Sequence, residues 1–443
     1  MIVPSSRLLV CTSAVVLPIA FAAAAYPNAD VIWALSFLAF AGLVLVDALR
    51  ADAELRGIRV ELPPVVRVSK NRIASLEVRV HSKPGGRRAL RLAFGFPVQI
   101  SPMPEVLDLL LPADAPSSRF DWNCTPLERG NYRISAAYAE AHSPFGLWAV
   151  RARRPAQCEI RVYPNLLTER RNLAALFLNR GSYGVHVHRQ VGKGRDFEKL
   201  REYAPGDSYD EIHWKATARR AKPITKVFQI ERTKEIYVVV DASRLSARRT
   251  NSAGNDSILE RFVTAALVLG LAAEQQGDLF GLVAFTNKIE TFVRARNGKT
   301  HYNACRDALY TLEPKIVTPD FDELCTFIRL RLRKRALVVF LTSLDDPALF
   351  ENFVRNVDLI RRQHLILVNM MRQQGAVPLF TDPDVNSIDD VYRQLSGHLR
   401  WHKLRQVDKT LQRLGVRFAL MDNERLSAQL VSQYLSIKQR QLI

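Results

Sequence analysis

The chain has 443 residues, 48% hydrophobic and 24% charged, which is enough apolar material for roughly two or three packed domains and excludes a disordered chain. Lys and Arg outnumber Asp and Glu by 63 to 44, a balance that attracts nucleic acid or an anionic membrane face. Because the basic residues lack the interleaved aromatics of a base-stacking surface, a nucleic-acid partner is the poorer interpretation. The 5 cysteines include no Cys-x-x-Cys pair and indicate neither a disulfide framework nor a zinc site.

Two apolar runs open the chain. Leu8–Ala25 carries no charge and Val31–Leu49 carries only Asp47, and each is long enough to cross a hydrocarbon core of about 30 Å as a helix. Arg7 precedes the pair and Arg50 follows it, whereas the connection has no basic residue. The positive-inside rule therefore predicts a hairpin in the inner (cytoplasmic) membrane with both ends in the cytoplasm. A cleaved signal peptide is the alternative for the first run, which ends in an alanine tract.

Residues 53–164 have the pattern of a small antiparallel β-sandwich, following the membrane segment at 1–52. Ile58–Leu62, Leu76–Val80 and Leu90–Phe94 alternate apolar and polar residues, and turns rich in Pro and Gly separate such runs. Short alternating strands at this spacing are typical of two packed sheets with one buried face each.

Residues 235–443 have the pattern of a doubly wound α/β domain, after an irregular basic segment at 165–234. Because near-continuous apolar strands are buried on both faces, we expect a mostly parallel sheet with helices on each side. The predicted strands are Ile236–Val240, Leu279–Phe285, Ala336–Leu341, Leu365–Asn369 and Val416–Met421.

Three contiguous stretches of the 165–234 segment carry a family signal: Gly192–Phe197, Leu200–Asp207 and Ile212–Arg219. Joined to the strand that ends at Asp241, they resemble the bacterial family called domain of unknown function 58. The C-terminal domain resembles a von Willebrand factor A (vWA) domain, which has a Rossmann-like fold. The signature residues are Arg201, Tyr203, Gly206, Asp207, Trp214, Lys215 and Arg219.

The resemblance carries an expectation about function. Members of this family are membrane-anchored and are often encoded beside MoxR-type AAA+ ATPases. The resemblance therefore implies a protein-interaction scaffold or adaptor, working with such an ATPase in the assembly or maturation of protein complexes, rather than an enzyme.

The vWA resemblance also implies a divalent metal such as Mg²⁺, held by a D-x-S-x-S loop, a later Thr and an Asp after the central strand. Asp241 and Ser243 match the loop, but Leu245 stands where the second Ser belongs, and the usual Asp position holds Ser343. Oxygen ligands suit a hard cation, although from D-x-S alone a loop and helix cap is the simpler interpretation of Asp241. The degenerate set is Asp241, Ser243, Thr300 and Asp345.

The basic segment from Gly192 to Lys215 supports an alternative function, a phosphate-handling hydrolase. Its glycine spacing is not that of a P-loop, so turn glycines are the preferred interpretation, with Trp214 packed between the segment and the sheet. A buried polar network is expected to join Arg201, Asp207 and Arg219, and such a network is tolerated only when fully paired.

Overall fold

The computed structural model divides the chain into two compact units, Met1–Asn165 and Leu166–Ile443, which are described separately. The described residues are 1–25, 30–82, 88–112, 115–167, 169, 171–173, 191–205, 208–229, 234–250, 256–373, 375–379, 381 and 387–440.

The first unit begins with two apolar helices, α1 (Ser6–Ala25) and α2 (Asp30–Ala51), and a short 3₁₀ turn follows at Asp52–Leu55. By length and composition, both are able to cross a membrane. Their apolar side chains are largely exposed rather than packed into a protein core, as expected for helices whose surroundings are lipid.

In the described residues of this unit, ten strands form two sheets packed on a shared apolar core. One sheet has the order β1-β10-β9-β5-β7, with β3 parallel to β10, and the other has the order β2-β4-β8-β6. Inward-facing residues alternate with exposed ones along the strands, as the sequence predicted. The strands are β1 (Ile2–Pro4), β2 (Arg59–Glu61), β3 (Val65–Ser69), β4 (Ala74–His81), β5 (Arg88–Phe94), β6 (Ile100–Met103), β7 (Leu107–Leu111), β8 (Ser117–Pro126), β9 (Gly130–His142) and β10 (Trp148–Tyr163).

The apolar helices are joined to the β-sandwich at their two outer ends, which are the beginning of α1 and the end of α2. Strand β1, which precedes α1, pairs with the start of β10. Near the end of α2, the fully buried Asp47 accepts hydrogen bonds from the Ser143 hydroxyl at 2.5 Å, the Phe145 N–H at 3.1 Å and the Leu147 N–H at 3.3 Å. The one charge in the second apolar run thus satisfies three donors of the β9–β10 turn, because a buried carboxylate requires such partners.

The second unit contains a small two-stranded antiparallel sheet, β11 (Val191–Glu202) and β12 (Ile224–Gln229). Between these strands the chain forms a 3₁₀ turn, Tyr209–Glu211, and a short helix, α3 (Trp214–Arg220).

A six-stranded sheet of order β15-β14-β13-β16-β17-β18 forms the centre of the second unit, and all its neighbours are parallel except β14 and β15. The three central strands are buried on both faces, which explains their uninterrupted apolar sequences. The strands are β13 (Glu235–Asp241), β14 (Leu279–Phe285), β15 (Ile289–Arg296), β16 (Ala336–Leu341), β17 (Leu365–Met371) and β18 (Arg417–Met421).

Helices cover both faces of this sheet: α4, α5 and α9 pack on one apolar core, and α6, α7 and α8 on the other. Polar side chains begin several of them, as Ser257 does for α4, Asp346 for α7 and Ser387 for α8. The helices are α4 (Ile258–Gln275), α5 (Lys299–Leu309), α6 (Phe321–Arg331), α7 (Pro347–Arg361), α8 (Ile388–Arg413) and α9 (Leu426–Gln439).

The last helix is joined to the sheet by a buried polar cluster. Asp278, directly before β14, accepts hydrogen bonds from the Tyr434 hydroxyl, from Lys438 Nζ at 2.8 Å and from the Lys234 N–H at 3.2 Å. Burial and the neighbouring carboxylate raise the pKa of Tyr434, which keeps its hydroxyl protonated as a donor. Tyr434 and Lys438 therefore have a structural role.

Candidate functional site at the centre of the sheet

Strands β13 and β16 lie side by side at the switch point of the sheet, where successive connections leave in opposite directions. In open α/β sheets, ligands bind beyond the carboxyl ends of the strands at this point. Asp241 ends β13, and Thr342 directly follows β16. The Thr342 hydroxyl donates to Asp241 Oδ2 at 2.6 Å, so the two loops are joined here.

Asp241 is buried, and its other oxygen is also occupied. The Ser243 N–H donates to Asp241 Oδ1 at 2.8 Å, and the Ser243 hydroxyl accepts from the Leu245 N–H at 3.3 Å. Burial raises the pKa of Asp241, and hydrogen bonds from Ser243 and Thr342 oppose that rise. The carboxylate is thus a hydrogen-bonding centre that fixes the first loop against the loop after β16.

The remaining residues of the two loops have other roles. Leu245 is buried in the apolar core on the α6–α7 side of the sheet, and Ser343 is buried beyond β16. Asp345 Oδ2 accepts from Arg248 Nη1 at 2.7 Å and from Gln373 Nε2 at 2.6 Å. The carboxylate that would have replaced the usual metal ligand is thus paired with a guanidinium.

Thr300 lies at the opposite edge of the sheet from Asp241. Strand β15 is antiparallel to β14, and Arg296, at its end, pairs with Phe280 at the beginning of β14. Asp241 pairs with Phe285 at the end of β14, roughly 16 Å away at about 3.3 Å per residue. The prediction that places Thr300 in the Asp241 cluster is therefore wrong, because the antiparallel strand β15 returns the chain to the other edge.

The predicted Mg²⁺ ligands do not form one site in this arrangement. Asp241 and Ser243 lie together, Asp345 is paired with Arg248, and Thr300 is remote. In the part of the chain that the structure describes, no group of three or more His, Cys, Asp or Glu side chains is arranged to hold a metal ion either. A guanidinium next to the second carboxylate also opposes a bound cation, so these residues do not fit the metal.

Sequence reasoning missed two residues of this site, Thr342 and Arg248. Thr342 had a usable signal, because it follows a buried strand as Asp241 does, and parallel strands end at the same edge. The partnership of Arg248 with Asp345 joins residues 97 positions apart and had no signal in the sequence pattern.

Several side chains of the signature segment that were predicted to be buried are exposed in the structure. Trp214 is 69% exposed, so it does not pack between this segment and the sheet as expected. Arg201 and Arg219 are also exposed, which contradicts the expected buried network, while Gly206 and Asp207 lie outside the described residues. The exposed surface includes Lys215, and the ring of the half-buried Tyr203 lies 6.0 Å from that of Tyr209.

The glycines of the proposed phosphate segment lie within a strand. Gly192 and Gly194 belong to β11, whereas a phosphate loop requires a turn between a strand and a helix N-terminus. The backbone arrangement therefore gives no support to the phosphate-handling alternative.

Together, the fold and the site define a mixed α/β protein with two apolar N-terminal helices and a switch point closed by hydrogen bonds. Residues 199–382 match the family model described as Protein of unknown function DUF58. An uncharacterised protein of Mycobacterium tuberculosis, Rv1480, is 24% identical over 208 residues, which are 46% of this chain and 63% of that protein. The uncharacterised protein YeaD of Bacillus subtilis is 29% identical over 93 residues, 21% of this chain and 22% of YeaD.

The chain thus spans about 63% of the length of the mycobacterial relative. Among solved structures, the conserved hypothetical protein BatB from Bacteroides thetaiotaomicron is similar at 15% identity and a TM-score of 0.31, covering 47% of this chain and 99% of BatB. An aerotolerance-related membrane protein from Bacteroides fragilis has 16% identity and a TM-score of 0.29, covering 45% of this chain and 99% of that chain. Similarity at this level gives no grounds for a shared activity.

The buried role of Asp241 predicts the behaviour of Asp241→Asn. An amide can accept from the Ser243 N–H and donate to Thr342, so we expect the free energy of unfolding at neutral pH to change by about 1 kcal/mol or less. Thermal unfolding of the full chain in nanodiscs, with and without millimolar Mg²⁺, measures this change. If Mg²⁺ raises the Tm of the wild type and Asp241→Asn abolishes that rise, Mg²⁺ binds at Asp241 and the conclusion that these residues do not fit the metal is wrong.

The same substitution has an expected pH dependence. Because the folded pKa of Asp241 is raised above the ordinary value of 3.8, the folded state binds this proton more tightly than the unfolded state. The contribution of Asp241 to the stability of the wild type therefore decreases as pH rises from about 3.8 through the raised pKa. The difference in Tm between Asp241→Asn and wild type should shift in favour of the variant over that interval.

Proposed function

We propose that this protein is a membrane-anchored interaction scaffold or adaptor that works with a MoxR-type AAA+ ATPase in the assembly or maturation of protein complexes. In this proposal the second unit is a vWA-like domain that docks protein partners without a bound metal. The ATPase is the partner that the family resemblance implies. The exposed aromatic and basic surface of the signature segment supports the docking role.

The observation that carries the proposal is the surface around α3. Tyr209 is 74% exposed and Trp214 is 69% exposed, and both lie within the residues that match the family model. Lys215 and Arg219 are exposed on the same short helix, four residues apart. Exposed Trp, Tyr and Arg side chains are the types that contribute most to protein interfaces, and the positive charge favours an acidic partner surface.

The attachment of the hairpin supports the proposed location in the inner membrane, with the folded units in the cytoplasm. Strand β1 before α1 and Asp47 near the end of α2 both contact the region around the β9–β10 turn. The outer ends of the two helices therefore lie on the same side, as a membrane hairpin requires. The basic residues flanking those ends favour the cytoplasmic side.

Trp214→Ala tests the docking surface. Truncation of a central aromatic at an interface costs about 2 kcal/mol or more, so we expect at least roughly tenfold less AAA+ ATPase to co-purify with the full chain from membranes. Tyr138→Ala is the matched control, because Tyr138 is a half-exposed aromatic of the sandwich. Equal ATPase recovery with Trp214→Ala and wild type would contradict a docking role for α3.

A further inference from the structure

A large cleft opens at the carboxyl-terminal edge of the central sheet, beside the switch point. Its volume is about 1000 Å³, and it is lined by the last two residues of β17 and by residues that follow β13, β16, β17 and β18. Asp241 does not line it, since that side chain is buried beneath the loops. The cleft therefore does not include Asp241, although Asp345 of the expected metal set lies in its lining.

Arginine dominates the polar lining of this cleft. Among the described residues, five arginines and three carboxylates line it. Two of the arginines are paired with carboxylates of the lining: Arg248 with Asp345 at 2.7 Å, and Arg372 with Asp422 at 3.4 Å. Within the described parts of the chain, the other three form no ion pair, and all three are exposed. These three, called the free arginines below, are Arg249, Arg400 and Arg425.

The chemistry of the lining favours carboxylates over a nucleotide. The planar guanidinium group can form two parallel hydrogen bonds with either a carboxylate or a phosphate. However, the apolar residues of the lining are Ile258, Met370 and Met371, and no described residue of the lining has an aromatic ring on which a base would stack. The third carboxylate, Glu424, repels a polyphosphate more strongly than a single carboxylate, because the polyphosphate carries more negative charge.

Helix α8 extends this surface with an exposed apolar stripe. Its first half projects five large apolar side chains at the spacing i, i+3, i+4, i+7 and i+11, which places them on one side of the helix. The opposite side is fixed to the protein: Gly397 lies so close to the Gly375 carbonyl oxygen that a Cβ there would be 2.0 Å from it. The stripe consists of Ile388, Val391, Tyr392, Leu395 and Leu399.

The stripe ends one residue before Arg400, so an apolar surface and an arginine-rich cleft adjoin. We propose that these surfaces together bind an acidic amphipathic helix of a partner protein, with its apolar side chains on the α8 stripe and its carboxylates on the free arginines. The i, i+3, i+4, i+7 anchors are those by which an amphipathic helix is recognised. The inference rests on the proposed scaffold function and names the chemistry that such a scaffold recognises.

The experiment measures peptide binding to the purified full chain in nanodiscs at one fixed ionic strength, because exposed charge pairs are screened by salt. The probe is a fluorescein-labelled designed helical peptide with a leucine stripe flanked by glutamates. A matched peptide has glutamine at every glutamate position. We expect fluorescence anisotropy to show roughly tenfold weaker binding of the glutamine peptide, since several charge-assisted hydrogen bonds are lost.

Two triple variants locate the site. Arg249→Gln, Arg400→Gln and Arg425→Gln together should weaken binding of the glutamate peptide about tenfold. Arg329→Gln, Arg333→Gln and Arg413→Gln remove the same charge from exposed positions in α6, before β16 and at the end of α8, and should leave binding within about twofold. Leu395→Ser should weaken both peptides, because it removes an apolar contact rather than a charge.

Three results would overturn the proposal. Equal binding of the glutamate and glutamine peptides would remove the role of charge. Equal weakening by the two triple variants would show that binding depends on the net charge of the protein and not on the position of the free arginines. Complete displacement of the peptide by millimolar inorganic phosphate would identify a small-anion site. None of these results depends on an ATPase, so they are distinguishable from failure of the proposed partnership.

Discussion

Asp47→Ala is expected to destabilise the first unit by roughly 3 to 5 kcal/mol. The substitution removes the acceptor of the Ser143 hydroxyl and of the Phe145 and Leu147 N–H groups. Each buried donor left unsatisfied costs about 1 to 3 kcal/mol. The loss falls at the junction between α2 and the β9–β10 turn, so we expect the hairpin and the sandwich to separate more easily, rather than the sandwich core to unfold first.

Hydrogen exchange measured by mass spectrometry on the chain in nanodiscs detects this change. The amides of 143–148 should exchange faster in Asp47→Ala, while those of the core strand β4 change much less. Asp52→Ala is the control, because Asp52 forms an exposed i,i+4 pair with Arg56, and such a pair contributes little. Unchanged exchange at 143–148 in Asp47→Ala would show that the carboxylate does not hold the junction.

Asp278→Ala is expected to destabilise the second unit by a similar amount, roughly 3 to 5 kcal/mol. The change leaves the buried Tyr434 hydroxyl without its acceptor and removes the ion pair with Lys438. Because these side chains lie on α9, the expected result is release of that helix from the start of β14. Denaturant unfolding of the purified full chain measures the loss.

The double variant Asp278→Ala with Tyr434→Phe distinguishes the cost of the unsatisfied hydroxyl from a general loss of packing. Removing both partners should recover part of the loss, since contacting residues are not additive. Asp307→Ala is the control for a carboxylate whose ion pair, with Arg306, is partly exposed. A loss below about 1 kcal/mol for Asp278→Ala would contradict the structural role of this cluster.

The elements of the core were predictable from sequence because their burial is uniform. The strand predicted at Ile236–Val240 corresponds to β13, and the strand predicted at Ala336–Leu341 matches β16. Strand β15 was missed, because an edge strand that is only half-buried mixes apolar residues with Arg294 and Arg296. That omission produced the error at Thr300, since an unrecognised antiparallel strand reverses the direction of the chain.

The polar partnerships were largely beyond the reach of sequence patterns. Asp47 was visible as a lone charge in an apolar run, but its partners lie about 100 positions away in the chain. Trp214 was expected to be buried because aromatic residues usually are, and its exposure depends on which face of a seven-residue helix meets the protein. Long-range contacts and the orientation of short elements are decided by tertiary packing, which a local pattern does not encode.

Crosslinking in intact membranes, followed by affinity purification of the full chain and mass spectrometry, tests the proposed scaffold function most directly. The proposal predicts that a MoxR-type AAA+ ATPase is recovered with wild type, with or without Mg²⁺, and that its recovery falls at least roughly tenfold with Trp214→Ala but not with Tyr138→Ala. Recovery of no such ATPase under either condition would contradict the proposed partnership.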